Sequence, residues 1–291
     1  MSAQILSGKA LQAQIFDQVS SEVQSWKSRG VTPTLALVLV GTDPSSSSYV
    51  ALKRRSAEQV GLAVVEHRLD ASTSQGQLEG LIQALGASPD VHGVLCQLPL
   101  PSGLSEETVL QQIPPEKDVD GLHPLNLGRL ASGRPLLLPC TPLGVLRLLE
   151  CLKLDLAGRS VVVVGRGALV GRPLAQMLSA PPWDATVTLC HSQTRNLPGW
   201  TSQAEVLISA TGVPGLIRQS MVRPGAVVID VGNTAVADPS SAKGYRMAGD
   251  VAFEEVSKVA SWITPVPGGV GPMTIAMLLE NTLRAVRLQH A

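Results

Sequence analysis

Hydrophobic positions in this chain alternate between two patterns: short unbroken runs, and longer segments in which they recur every three to four residues. "TLALVLVG" (34–41) is an unbroken run of the buried-strand type, and "SYVALKRRSAEQVG" after it has helical spacing with Gly61 as its stop. "AVVEHRL" and "GVLCQLPL" are two further strand-like runs, with the amphipathic helical pattern "SQGQLEGLIQALG" between them. After Gly133, "TPLGVLRLLECL" has the spacing of a helix. Four short β-branched runs then follow, "SVVVVG", "ATVTLCHS", "EVLISATG" and "AVVIDVG", separated by helix or turn signals. Strands that alternate with helices along the chain predict an α/β fold with parallel sheets covered on both faces.

Two proline- and glycine-rich stretches divide this pattern. In "SGRPLLLPCTPLG" two prolines flank Cys140 and Thr141, which predicts a rigid, non-helical bridge between two α/β blocks. "TPVPGGVGPMT" (264–274) precedes a last helical segment, "IAMLLENTLRAVRL". The expected layout is two lobes. Residues 1–142 with 274–291 form the first, to which the C-terminal helix returns, and residues 143–273 form a Rossmann-type second. Hydrophobic residues make up 44% and aromatics only 3%, so the interior must be built from Val, Leu, Ile and Ala. The formal net charge of zero argues against a nucleic-acid surface or a polybasic membrane patch. No stretch approaches the ~20 apolar residues of a membrane span, and the N-terminal residues lack the apolar run of a signal peptide. The cysteines Cys96, Cys140, Cys151 and Cys190 have no metal-ligand spacing, which fits a reduced, cytoplasmic chain without metal.

"SVVVVGRGALVGRPLAQML" places Gly165, Gly167 and Gly171 between a strand and a helix. This G-x-G-x-x-x-G variant has glycine where the backbone must turn sharply and where a pyrophosphate would approach a helix N-terminus. The other reading is a strand-to-helix turn with no ligand. An NAD site usually carries an acidic residue about 20 residues further on. Here the next strand ends in His191, Ser192, Thr194 and Arg195, with no carboxylate, and Arg166 lies in the turn itself. Guanidinium and hydroxyl groups suit a 2′-phosphate, so NADP is expected over NAD.

The chain's two tyrosines are Tyr49 and Tyr245, and Tyr49 precedes Lys53 by one helical turn, which puts both on one helix face. Taken alone, Y-x-x-x-K fits a surface helix with a solvated lysine. Its company is more specific. "SSYVALK", "GVLCQLPLP", "EKDVDGLHPLNLGRL", "PCTP", "VVVVGRGALVGRP", "CHSQT" and "TPVPGGVGPMT" occur in an order that resembles the bifunctional methylenetetrahydrofolate dehydrogenase/cyclohydrolase family over essentially the whole chain. The resemblance implies oxidation of 5,10-methylenetetrahydrofolate with NADP, then hydrolysis of the methenyl product to 10-formyltetrahydrofolate, by a homodimer. It further implies that Tyr49 stacks on the folate and serves catalysis together with Lys53 and Gln97, and that Asp120 holds the pterin. Pro265, Gly268 and Gly269 would belong to a loop closing over folate and nicotinamide. Arg166 and Ser192 would contact the 2′-phosphate, with Gly165, Gly167, Gly171 and Thr141 also on the cofactor side.

Gly167 stands where that family usually has serine, and Asn233 in "DVGNT" departs from its usual "DVGIN". Asp118 and Lys117 are expected to be structural, with Lys117 neutralising the Asp118–Asp120 pair. Lys53 could act as a base or stay protonated and only position its partners. Two rivals remain open: an NADP-dependent dehydrogenase of another small substrate, and a non-catalytic binding protein on the same scaffold. The chain lacks G-x-x-x-x-G-K-[ST], so ATP-dependent formate ligation is not expected.

Overall fold

The structure is a computed structural model and describes residues 2–241 and 244–291. In chain order its elements begin with β1 (Gln4–Ile5), α1 (Gly8–Ser28), β2 (Thr34–Val40), α2 (Pro44–Gln59), β3 (Ala63–Leu69), α3 (Gln75–Ala87) and β4 (Gly93–Cys96). There follow α4 (Glu106–Gln111), α5 (Pro124–Ala131), α6 (Cys140–Cys151), β5 (Ser160–Val164), α7 (Gly171–Ser179), β6 (Thr186–Cys190) and α8 (Leu197–Thr201). The last are β7 (Val206–Ser209), β8 (Val227–Asp230), β9 (Thr234–Ala237), β10 (Tyr245–Ala248), α9 (Phe253–Val256), β11 (Trp262–Ile263) and α10 (Val270–Gln289).

The chain divides into two compact units. One comprises Ala13–Cys140 and Ile275–Ala291, and the other Thr141–Thr274 with the N-terminal residues through Gln12. The first unit holds a three-stranded parallel sheet of order β3-β2-β4. All seven residues of β2 are buried, as a central strand covered on both faces requires. Ala36, Val38, Val94 and Cys96 pack on one side against Leu78, Ile82 and Val109 from α3 and α4. α2 has Asp43 as its N-cap, accepting the Ser46 N–H at 2.7 Å, and Pro44 in its first turn, where a missing N–H does no harm.

The second unit holds a six-stranded sheet of order β1-β11-β8-β7-β5-β6, parallel throughout. β5 lies between β6 and β7, so strand order reverses there, and the groove above the carboxyl ends of β5 and β7 is where a doubly wound sheet binds nucleotides. Val162, Val164, Leu207, Val228 and Ile263 fill its core.

Three expectations about boundaries need correction. The N-terminal residues belong to the second unit, because β1 pairs with β11 in parallel. A strand of two residues has no periodicity to reveal it. Cys140 and Thr141 are helical, opening α6, because Pro142 falls in a first turn, whose N–H groups have no helical partner. Likewise α10 begins at Val270, so the end of "TPVPGGVGPMT" is helical and Pro272 lies in the first turn.

Candidate active site

In the first unit the expected residues converge at the carboxyl ends of β2 and β4. Gln97 follows β4 and extends its pairing, its N–H donating to the Val38 carbonyl at 2.8 Å. Its side chain is fixed at both ends: Nε2 donates to the Leu98 carbonyl at 2.6 Å, and Oε1 accepts from Lys53 Nζ at 2.9 Å. Lys53 comes from α2 and is only 4% exposed. Its Nζ sits 4.7 Å from the centre of the Tyr49 ring, one turn back on the same helix. Burial holds the Lys53 amine below the ordinary lysine value, opposed by the negative charge of Asp120 and then by Cys140.

Asp120 is carried by the loop that also contains Asp118. That loop is tied to β4 by a bridge between Val94 and Asp118, with the Val94 N–H donating to the Lys117 carbonyl at 2.8 Å. Asp118 turns inward. Its Oδ2 accepts from the His123 N–H at 2.8 Å and from Asn126 Nδ2 at 2.9 Å. Lys117 does not neutralise the acidic pair: its Nζ donates to the Ser88 carbonyl at 2.7 Å. Burial pushes the Asp118 carboxyl up, against the hydrogen bonds from Asn126 and His123. Among the described residues, Asp118 Oδ1 and Asn126 Oδ1 are two buried acceptors without a hydrogen-bond partner, so this corner is short of a donor.

A carboxyl raised on folding binds more protons in the folded than in the unfolded state. Its stabilising contribution is therefore complete below the unfolded value of about 3.9 and lost as pH rises through the folded one. Asp118→Asn supplies a permanent donor and removes this loss. The melting temperature of the variant relative to wild type should rise as pH rises above the unfolded value of about 3.9; a difference that stays constant with pH would mean that Asp118 is ionised in the fold.

Two residues of this cluster went unassigned in the sequence. Cys140 is fully buried. Its thiol donates to the Val119 carbonyl at 3.1 Å, and burial followed by the Asp120 charge pushes it well up, so it stays protonated. Asn281 of α10 donates to the Val119 and Leu138 carbonyls at 2.9 and 2.8 Å, clamping the acidic loop. The signal for Asn281 was a polar residue inside the apolar pattern of the last helix.

In the second unit, Gly165, Arg166 and Gly167 turn from β5 toward α7, which starts at Gly171. Gly165 has φ +112°, and a Cβ there would strike the Ala210 carbonyl; a Cβ on Gly171 would strike the Gly165 carbonyl. Both glycines are required. Gly167 is not, since its surroundings are open and a side chain would fit there. No side chain caps α7 at Val170; the Arg172 N–H donates to the Gly167 carbonyl at 3.1 Å and Pro173 has no N–H, so of the first three helical residues Gly171 is the one left to offer its N–H to an anion. Arg166 and Ser192 are exposed beside this turn and just beyond β6. Thr141 Oγ1 lies 3.0 Å from Thr274 Oγ1. Pro265 accepts the Gly269 N–H at 2.8 Å, and Gly268 accepts the Gly8 N–H at 2.9 Å, so the loop carrying these three residues is pinned to the start of α1. Gly165→Ala should abolish NADPH formation and spare hydrolysis; retained NADPH formation would show that the turn tolerates a side chain.

A glycine turn at the point of strand reversal, an uncapped helix behind it and no acidic residue at the end of β6 suit a phosphorylated dinucleotide, and together they define a nucleotide-binding α/β enzyme. The chain belongs to the tetrahydrofolate dehydrogenase/cyclohydrolase family: residues 6–120 match its catalytic domain and residues 139–290 its NAD(P)-binding domain. It is 50% identical to the bifunctional protein FolD of Halalkalibacterium halodurans over 287 residues, covering 99% of this chain and 100% of that one. Its fold matches the crystal structure of the bifunctional enzyme FolD from Campylobacter jejuni with a TM-score of 0.93 at 44% identity, covering 99% of both chains. It also matches the Trypanosoma brucei enzyme complexed with NADP and an inhibitor, with a TM-score of 0.95 at 39% identity, over 99% of this chain and 98% of that one.

Proposed function

We propose that this protein oxidises 5,10-methylenetetrahydrofolate to the methenyl form with NADP and then hydrolyses that product to 10-formyltetrahydrofolate. The observation that carries this reading is the buried Lys53–Gln97 pair, 2.9 Å apart, beside Tyr49 and within the field of Asp120. A dehydrogenase of an unrelated small substrate would account for the glycine turn but not for this set.

NADP supplies the hydride acceptor. Gly165, Gly167 and Gly171 would receive its pyrophosphate at the head of α7, and Arg166 and Ser192 would hold its 2′-phosphate. Thr141, Pro265, Gly268 and Gly269 would lie on the cofactor side. Removing hydride from the methylene carbon needs no proton transfer, because the adjoining nitrogens stabilise the cation; the protein's task there is orientation. Asp120 accepts N–H bonds from the pterin as a charge-assisted pair, and the Tyr49 ring stacks on the flat part of the folate.

Hydrolysis needs a base, because water attacking the cationic carbon must lose a proton. Lys53 takes that role. Burial already favours its neutral form, and a cationic substrate beside it favours that form further. Gln97 orients the amine without adding a negative charge that would hold the proton in place. A cytoplasmic homodimer completes the proposal, and the free thiols of all four cysteines suit a reducing compartment. The test follows NADPH and methenyl-folate absorbance together on purified protein given methylenetetrahydrofolate and NADP. Formation of NADPH with transient methenyl-folate supports the reading, and no change at either wavelength rejects it.

A further inference from the structure

Two buried carboxylates in the second unit are used by nothing above. Asp230 ends β8 and is 3% exposed; Asp250 follows β10 and is fully buried. Asp230 Oδ1 accepts the N–H groups of Gly232 and Asp250, both at 2.9 Å, and its Oδ2 accepts that of Val251 at 3.0 Å. Asp250 Oδ2 in turn accepts from Ser209 Oγ at 3.0 Å, from the Thr211 N–H at 2.6 Å and from Thr211 Oγ1 at 2.8 Å.

The pair therefore ties together the carboxyl ends of β7 and β8 and the segment after β10. These ends lie on the side of β5 away from β6. A dinucleotide whose 2′-phosphate half lies over β5 and β6 must extend its nicotinamide half across them. The packing leaves no slack, because a Cβ on Gly249 would strike Asp230 Oδ2 and one on Gly232 would strike Asp250 Oδ1. Asn233, exposed, follows directly on the turn that Asp230 holds.

We propose that Asp230 and Asp250 are positioning residues for hydride transfer, fixing the turn from Val231 to Asn233 and the Thr211 segment that carry the nicotinamide half of the dinucleotide. This rests on the proposed dehydrogenase activity. The device is also proton-sensitive. Burial, and after the backbone donors the charge of Asp250, bring the Asp230 carboxyl up to about 6. Asp250 is the titratable group that faces it; Gly249, Val266 and Thr264, which also pack there, do not titrate. Raised on folding, the Asp230 carboxyl favours the ordered turn when protonated, so that support is complete below the unfolded value of about 3.9 and the turn loosens as pH rises through about 6. Asp250 Oδ1 has no hydrogen-bond partner among the described residues, so Asp250→Asn breaks no hydrogen bond there and keeps an oxygen for the three donors to Oδ2.

The experiment measures the dehydrogenase kcat at saturating NADP and folate from pH 5 to 8, and separately the hydrolysis of supplied methenyltetrahydrofolate without NADP. Absence of both activities in wild type would reject the functional reading, and the inference with it. Given both, the wild-type dehydrogenase should decline as pH rises through about 6, a limb that hydride transfer itself does not require. Asp250→Asn removes the repelling charge, so its limb should move to lower pH while hydrolysis stays within about twofold of wild type. Asp230→Asn should erase the limb and lower dehydrogenation at least tenfold. Since it also disturbs three backbone bonds, Asp250→Asn is the deciding variant. An unshifted limb in that variant, or hydrolysis that changes in step with dehydrogenation, overturns the inference.

Discussion

Replacing Lys53 by methionine should slow methenyl-folate hydrolysis by about 10²–10⁴, the usual contribution of a positioned general base, while NADPH formation falls far less. The two steps separate because only hydrolysis moves a proton at the reacting carbon. Methionine matches the length of the lysine stem, so the buried space stays filled. The variant loses one hydrogen bond to Gln97 Oε1, at a cost of about 1–3 kcal/mol for an acceptor left without its donor, but no longer has an amine to desolvate. It should fold. Both rates, measured on one preparation whose melting temperature is checked, decide the matter: hydrolysis within tenfold of wild type would remove Lys53 from the mechanism.

Asp120→Asn should have the second-largest effect, and on two readouts. Charge-assisted hydrogen bonds contribute about 1.5–3 kcal/mol each, so losing the charge should raise the folate KM by about 10- to 100-fold. The second effect acts through Lys53. The Asp120 carboxylate is the leading influence that raises the Lys53 amine against the downward pull of burial. Removing it lets the amine fall further. A base works only when neutral, so hydrolysis increases with pH through the Lys53 pKa, and in the variant that limb must move to lower pH. A pH profile of kcat for hydrolysis checks the sign. A limb displaced upward, or folate affinity unchanged, would place Asp120 away from both the pterin and the amine.

Most of this architecture could be read from the chain because parallel strands buried on both faces leave plain traces. "TLALVLV" and "VVVV" are unbroken because no residue in them faces water. The Tyr49–Lys53 spacing was legible for a similar reason, since helical periodicity fixes which side chains share a face. What could not be read depends on partners distant in sequence. β1 is a strand only because β11 lies beside it some 258 positions later. Cys140 and Asn281 meet the acidic loop only after α10 has come back to its unit. Lys117 looked like a counter-ion to its neighbours, but a backbone carbonyl 29 residues away takes its ammonium. Pro272 lies ahead of the helical pattern "IAMLLENTLRAVRL", yet it sits in the first turn of α10, where proline is tolerated, as Pro142 does in α6.

The central claim is that the Lys53 amine gives up its proton far more readily than an ordinary lysine. Titrating the Lys53 side chain by nitrogen-15 NMR, with its resonance assigned by loss in Lys53→Met, tests that claim directly. The account predicts deprotonation well below the usual value of about 10.4. An ammonium that persists to that value or beyond would contradict it.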